Sequence, residues 1–164
     1  MEIGEVYKMT QPAFLVVGKE GEGATLELDT WIPELWGACY EHLTDLQALA
    51  DQMKVANIEL WGLMSDKQEW LAPWQFEGRY LAGVALPVTL DRSLITDFDC
   101  WEMPAFEYLV VKTDSVNLER MMEQMFETIL PQEQATVIAA IQERYLPEFA
   151  EDEVELCFPI RRVE

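Results

Sequence analysis

The sequence predicts an α+β fold: two β-α-β-β modules related by a pseudo-twofold axis, forming one antiparallel sheet with two main helices and a ligand groove between the halves. Two observations carry this expectation. Runs rich in β-branched and aromatic residues alternate with amphipathic stretches of helical period. A local phrase also returns, PAFLVV at 12–17 and PAFEYLVV at 104–111, 92 residues apart, each followed by a polar turn and a helix.

Residues 12–20, PAFLVVGKE, predict a strand, and the glycine-bearing GKEGEG predicts the turn that ends it. A helix follows in DTWIPELWGACYEHL. There Pro33 suits a first helical turn, Ile32 before it is pushed toward extended geometry, and Leu35, Trp36, Cys39, Tyr40 and Leu43 recur at helical spacing. TDLQALADQMK at 44–54 either extends that helix or forms a short one of its own. NIELWGLMS and RYLAGVALP predict two strands around a loop rich in Trp and Pro.

In the second half, DFDCWEMPAFEYLVVKT predicts a strand and NLERMMEQMFETIL an amphipathic helix. EVELCFPI at 153–160 predicts a closing strand in which Val154, Leu156 and Phe158 alternate with Glu153, Glu155 and Cys157. On the helix, Leu118, Met121, Met122, Met125, Phe126 and Ile129 form a wide apolar stripe expected in the core, while Glu119, Glu123 and Glu127 make a solvated acidic row. By pattern alone, ATVIAAIQERYL is helical.

With 164 residues, half of them apolar, and no low-complexity tract, a single domain over 1–164 is expected, its halves spanning about 1–92 and 93–164. Against 31 acidic side chains stand 11 basic ones, scattered along the chain, for a net charge of −20. Direct nucleic-acid binding is therefore not expected, because neutralising phosphates needs clustered Lys and Arg. The same field keeps a protein in solution and concentrates cations near any cleft. Cys39, Cys100 and Cys157 are far apart, without CxxC spacing, and are expected to be reduced core thiols. With one histidine, His42, neither a metal site nor a cofactor is expected. MEIGEVYKMT has no apolar signal region and no stretch approaches 18 uninterrupted apolar residues, so the expectation is a cytoplasmic protein away from the membrane.

Taken in order, several phrases resemble the GyrI-like, or AraC-type, effector-binding domain family, whose members occur alone or behind DNA-binding helix-turn-helix modules. The phrases are PAFLVVGKE, IPELWGACYE, ELWGLMS, YLAGVALP, EMPAFEYLVV, ERYLPEF at 143–149 and VELCFPI, and they span nearly the whole chain. The resemblance implies a groove between helices and sheet that takes small molecules. Multidrug-sensing members hold a glutamate deep in that groove, on a late strand of the second half, where it pairs with lipophilic cations. The family's glutamate followed two residues later by tyrosine matches Glu143 and Tyr145. The resemblance further implies that part of ATVIAAIQERYL is extended, packing overriding helical propensity.

A carboxylate in an aromatic cleft resists ionisation when empty, and an opposite charge restores it. Aromatic faces attract cations and accept many flat outlines. The rings expected to line the cleft with Glu143 and Tyr145 are Trp36, Tyr40, Trp61, Trp70, Trp101 and Tyr108; Trp74, Phe76 and Tyr80 are further candidates. The loop DKQEWLAPWQFEG is expected to act as a lid. Glu34 has an ordinary role at a helix N-terminus, and His42 has no dyad partner, so no catalytic residue is assigned.

The expected function is that of a stand-alone effector-binding domain for cationic, amphipathic, drug-like molecules. One alternative is hydrolysis of reactive electrophiles, with Glu143 as general base and Tyr145 or another tyrosine as its acid/base partner. Another is an acidic, DNA-mimicking module pressed against a protein such as gyrase. A role as subunit of a transcription regulator and a homodimer through a sheet edge both stay open.

Overall fold

The computed structural model describes residues 3–163. The chain runs β1 (Val6–Gln11), β2 (Phe14–Ala24), α1 (Ile32–Glu41), α2 (Leu43–Gln52), β3 (Leu60–Asp66), β4 (Glu77–Pro87), β5 (Asp99–Met103), β6 (Phe106–Asp114) and α3 (Leu118–Gln124). A π-turn at Met125–Ile129 joins α3 to α4 (Leu130–Gln132), and β7 (Gln142–Tyr145) and β8 (Glu153–Arg162) close the chain. All eight strands form one sheet in the order β1-β6-β8-β7-β3-β4-β2-β5, every pairing antiparallel.

That order carries the expected pseudo-symmetry. The short β3/β7 pairing lies at the centre, with β4 and β2 on one side and β8 and β6 on the other. Each module is thus strand, helices, strand, strand. The strands leading into the modules cross over: β1 precedes β2 yet pairs with β6, and β5 precedes β6 yet pairs with β2.

The structure departs from the sequence expectations in three places. The glycines of GKEGEG do not end the first strand. β2 continues to Ala24, because Gly18 leaves room for the β4 backbone, Gly21 for Leu35 and Gly23 for the Trp31 ring. The segment expected as one strand at 97–113 is two, since Pro104 has no N–H to donate at the junction of β5 and β6. ATVIAAIQERYL contains no helix; its last residues form β7, held by β3 and β8. The π-turn also has a local cause, because the ring of Pro131 displaces the carbonyl four residues earlier.

Apolar side chains cover both sheet faces. On one face, Cys39, Leu46 and Ala50 of α1 and α2 pack on Leu15, Val17, Ala82 and Val84. On the same face, Met121, Met125 and Leu130 pack on Leu109, Val111, Leu156 and Phe158. The opposite face holds a third cluster, Phe14, Val16, Trp61, Leu63, Leu81, Trp101, Met103, Tyr108 and Val110, closed by Leu71 and Ala139 from loops. Of the three cysteines, Cys39 and Cys157 are buried, Cys100 is half-buried, and all are free thiols. Among the described residues, no helix is long and apolar enough to cross a membrane.

Candidate functional site

β7 is paired on both sides, and strand alternation sends Gln142 and Arg144 to one face and Glu143 and Tyr145 to the other. The second pair faces the helices, in the gap between the two helical layers. Register places Glu143 opposite Gly62 and Tyr145 opposite Leu60. One strand further, Met64 opposes Tyr80. Because Gly62 has no side chain, the Tyr80 ring lies across β3; a Cβ on Gly62 would overlap both the Tyr80 hydroxyl and Glu143 Oε1.

A hydrogen-bonded chain results. The Trp36 indole N–H donates to the Tyr80 oxygen at 3.0 Å, and the Tyr80 hydroxyl donates to Glu143 Oε1 at 2.5 Å. The Tyr145 hydroxyl also bonds the Glu143 carboxylate. Desolvation raises the Glu143 pKa above the ordinary carboxylate range, and the hydroxyls of Tyr80 and Tyr145 oppose that rise. The same carboxylate, after desolvation, holds both tyrosine hydroxyls well above their usual pKa, so they remain donors.

Glu143 opens into a groove of about 580 Å3. Leu118, Met122 and Phe126 form one wall, Leu28, Pro73 and Trp74 another, and Met64, Leu156 and the segment from Val137 to Ile141 contribute the rest. Every lining residue but Glu143 is apolar or aromatic. On the other side of Tyr145 lies an outer cleft of about 190 Å3, lined by Trp36, Tyr40, Tyr145 and Glu151. A third hollow, also of about 580 Å3, lies beside Lys19, His42, Asp45 and Phe98 and has no buried acid.

Of the residues predicted from sequence, the structure brings Glu143, Tyr145, Trp36 and Tyr40 together. Trp61, Trp101 and Tyr108 lie on the opposite sheet face, in a closed core. Trp61 packs on Phe14 and Tyr108, and the Trp101 indole N–H donates to Glu20 at 2.6 Å. Trp70 rests half-exposed against Trp101, with ring centroids 4.8 Å apart, away from the groove. Its neighbour Trp74 lines the groove instead. The loop expected as a lid is anchored: Asp66 accepts hydrogen bonds from the backbone N–H groups of Gln68, Glu69 and Gln75, and the Ser65 hydroxyl accepts one from Leu71.

Sequence reasoning left Gly62 out of the site and placed Leu118, Met122 and Phe126 in the core. The signal for Gly62 was a glycine inside a strand pattern, which marks a close approach. The helix stripe divides, Met121 and Met125 facing the sheet while Leu118, Met122 and Phe126 face the groove. Behind the site, Arg144 forms a separate buried network. Its Nε and Nη2 reach Glu155 Oε1 at 2.8 and 2.6 Å, Nη2 donates to the Tyr7 oxygen, and the Tyr7 hydroxyl donates to Glu155 Oε2 at 2.6 Å.

No family model matches the chain, and no curated protein matches it. Solved structures do. SAV2435 bound to tetraphenylphosphonium aligns with a TM-score of 0.64 at 17% identity, covering 96% of this chain and 94% of that one. A putative bacterial transcription regulation protein from Staphylococcus aureus MU50 aligns at 0.60 and 15% identity, over 96% and 99% of the two chains. The EcmrR C-terminal domain aligns at 0.54 and 11%, over 99% and 100%. What they share with this chain is the fold.

Proposed function

We propose that this chain is an effector-binding domain of the GyrI-like kind, which takes lipophilic organic cations into the groove over Glu143. The observation that carries the reading is a single carboxylate, with two tyrosine hydroxyls fixed on it, at the base of an otherwise apolar groove. An acid so desolvated gains most from a cation that loses little on leaving water, and a delocalised or bulky organic cation fits that description. The groove volume falls in the range that holds drug-sized ligands. The chain's charge of −20 would draw such molecules toward it. The tetraphenylphosphonium bound to SAV2435, a protein of the same fold, supports the same ligand class.

Hydrolysis on this site has less support. Tyr80 and Tyr145 have pKa values pushed up by burial and by Glu143, which makes them reluctant proton donors to a leaving group, and both are committed to holding the carboxylate. A panel of fluorescent dyes matched in size but cationic, neutral or anionic tests the proposal. Binding confined to the cations is the expected result; equal binding of all three removes it.

A further inference from the structure

Trp36 links the Glu143 hydrogen-bonded chain to the outer cleft. Its indole N–H points inward to Tyr80, while its ring helps wall the outer cleft with Tyr40 and Tyr145. Trp36 and Tyr145 meet with centroids 5.2 Å apart and planes at 81°, so the two rings make a corner. Tyr40 stands 6.0 Å from Trp36, tilted by 34°, and is 56% exposed. Glu151, from the turn between β7 and β8, completes the lining. It forms no hydrogen bond or ion pair with any other described residue. No Lys, Arg or His lines the cleft.

Aromatic faces set at an angle, with a carboxylate and no internal cation to neutralise it, are the chemistry that recognises an ammonium group, an N-methylated one above all. Tyr145 stands between this cleft and the acid of the groove, since its hydroxyl is bonded to Glu143 while its ring lines the outer compartment. We propose that the Trp36, Tyr40, Tyr145 and Glu151 cleft is a second cation subsite, so that the chain's ligands include elongated bis-cations with one charged end over Glu143 and the other over Glu151. This rests on the cation-binding reading of the groove. Two separate monocations would repel each other across the Trp36–Tyr145 pair. Linking the charges in one molecule makes capture of the second end intramolecular, and its local concentration high.

The test is calorimetric titration of the full chain at about 0.15 M salt, where loose surface attraction is screened. The probes are decamethonium, which carries two quaternary ends, and tetraphenylphosphonium, which carries one charge. The variants are Glu151→Gln, Tyr40→Ala and Glu143→Gln. Expected is a loss of about tenfold in decamethonium affinity for Glu151→Gln and for Tyr40→Ala, with tetraphenylphosphonium changed by less than about twofold in Glu151→Gln. Glu143→Gln weakens both probes. Decamethonium affinity indifferent to Glu151 and Tyr40, or no decamethonium binding where tetraphenylphosphonium binds, overturns the second subsite and leaves the groove reading standing. Tetraphenylphosphonium binding that ignores Glu143 overturns the groove reading and the subsite with it. Glu151 and Tyr40 are exposed, and unchanged circular dichroism of their variants confirms that the fold is intact.

Discussion

Gly62→Ala puts the architecture of the site under direct strain. The added methyl group would occupy the space now held by the Tyr80 hydroxyl and Glu143 Oε1. Tyr80 is 2% exposed, so its ring cannot move into solvent. Overpacking of this kind costs about 1–3 kcal/mol. Breaking the hydrogen bond from Tyr80 to a charged carboxylate costs about 1.5–3 kcal/mol more. Replacing glycine in a strand returns about 0.5–1 kcal/mol of backbone entropy. The net loss is about 1.5–5.5 kcal/mol, read from urea unfolding followed by tryptophan fluorescence. At about 2–4 °C per kcal/mol for a chain of this size, the Tm falls by about 3–22 °C. Cation affinity falls by more than about tenfold, because the carboxylate is displaced from the groove. In a Tyr80→Phe background the same substitution costs less, since the nearest of the atoms it meets is gone; the coupling should exceed about 1 kcal/mol. Stability within about 0.5 kcal/mol of the parent, with cation affinity unchanged, would show that Gly62 does not hold open the space that Tyr80 and Glu143 share.

Three further expectations follow from the same geometry. Arg144→Met leaves Glu155, 1% exposed and hydrogen-bonded by Tyr7, without its buried guanidinium partner, and should cost about 3–5 kcal/mol by urea unfolding, much of it recovered when Glu155→Leu is added. The folded-state pKa of Glu143 is raised, so the empty protein binds more protons there than the unfolded chain does; that contribution to stability is present at low pH and is lost as pH rises from the ordinary carboxylate range through the folded value. A cation selects the ionised form, so its affinity should climb over the same window and then level off, with proton release on binding below the plateau; in Glu143→Gln both dependences should vanish from calorimetry in buffers of differing ionisation heat. Trp74→Ala should weaken cation binding by about tenfold and Trp70→Ala by less than twofold, because only the Trp74 ring lines the groove.

Much of the fold was legible because strand and helix periods are local. β2, β3, β4, β6, β8, α1 and α3 all fall on segments whose pattern predicts them. β1 carries no comparable signal: VYKMTQ is short and lies at a sheet edge, where half its polar backbone faces outward. The site was less legible. β7 is four residues long, and ATVIAAIQERYL has good helix formers; pairing with β3 and β8 outweighs that propensity, and only the family resemblance pointed to it. The misplaced tryptophans have a different cause. Both faces of this sheet are apolar, so in LWGLM neither Trp61 and Leu63 nor Leu60, Gly62 and Met64 are marked as facing the groove. The contact of Tyr80 with Glu143 spans 63 positions and depends on register across three strands, which no local pattern encodes.

The proposed capture of a cation turns on the charge of Glu143. Titrating tetraphenylphosphonium into the parent chain and into Glu143→Gln, which keeps the shape and the hydrogen bond accepted from Tyr80, tests it most directly. Expected is binding at micromolar concentrations or tighter in the parent and a loss of more than about tenfold, 1.4 kcal/mol, in the variant. Equal affinity in the two proteins would contradict it.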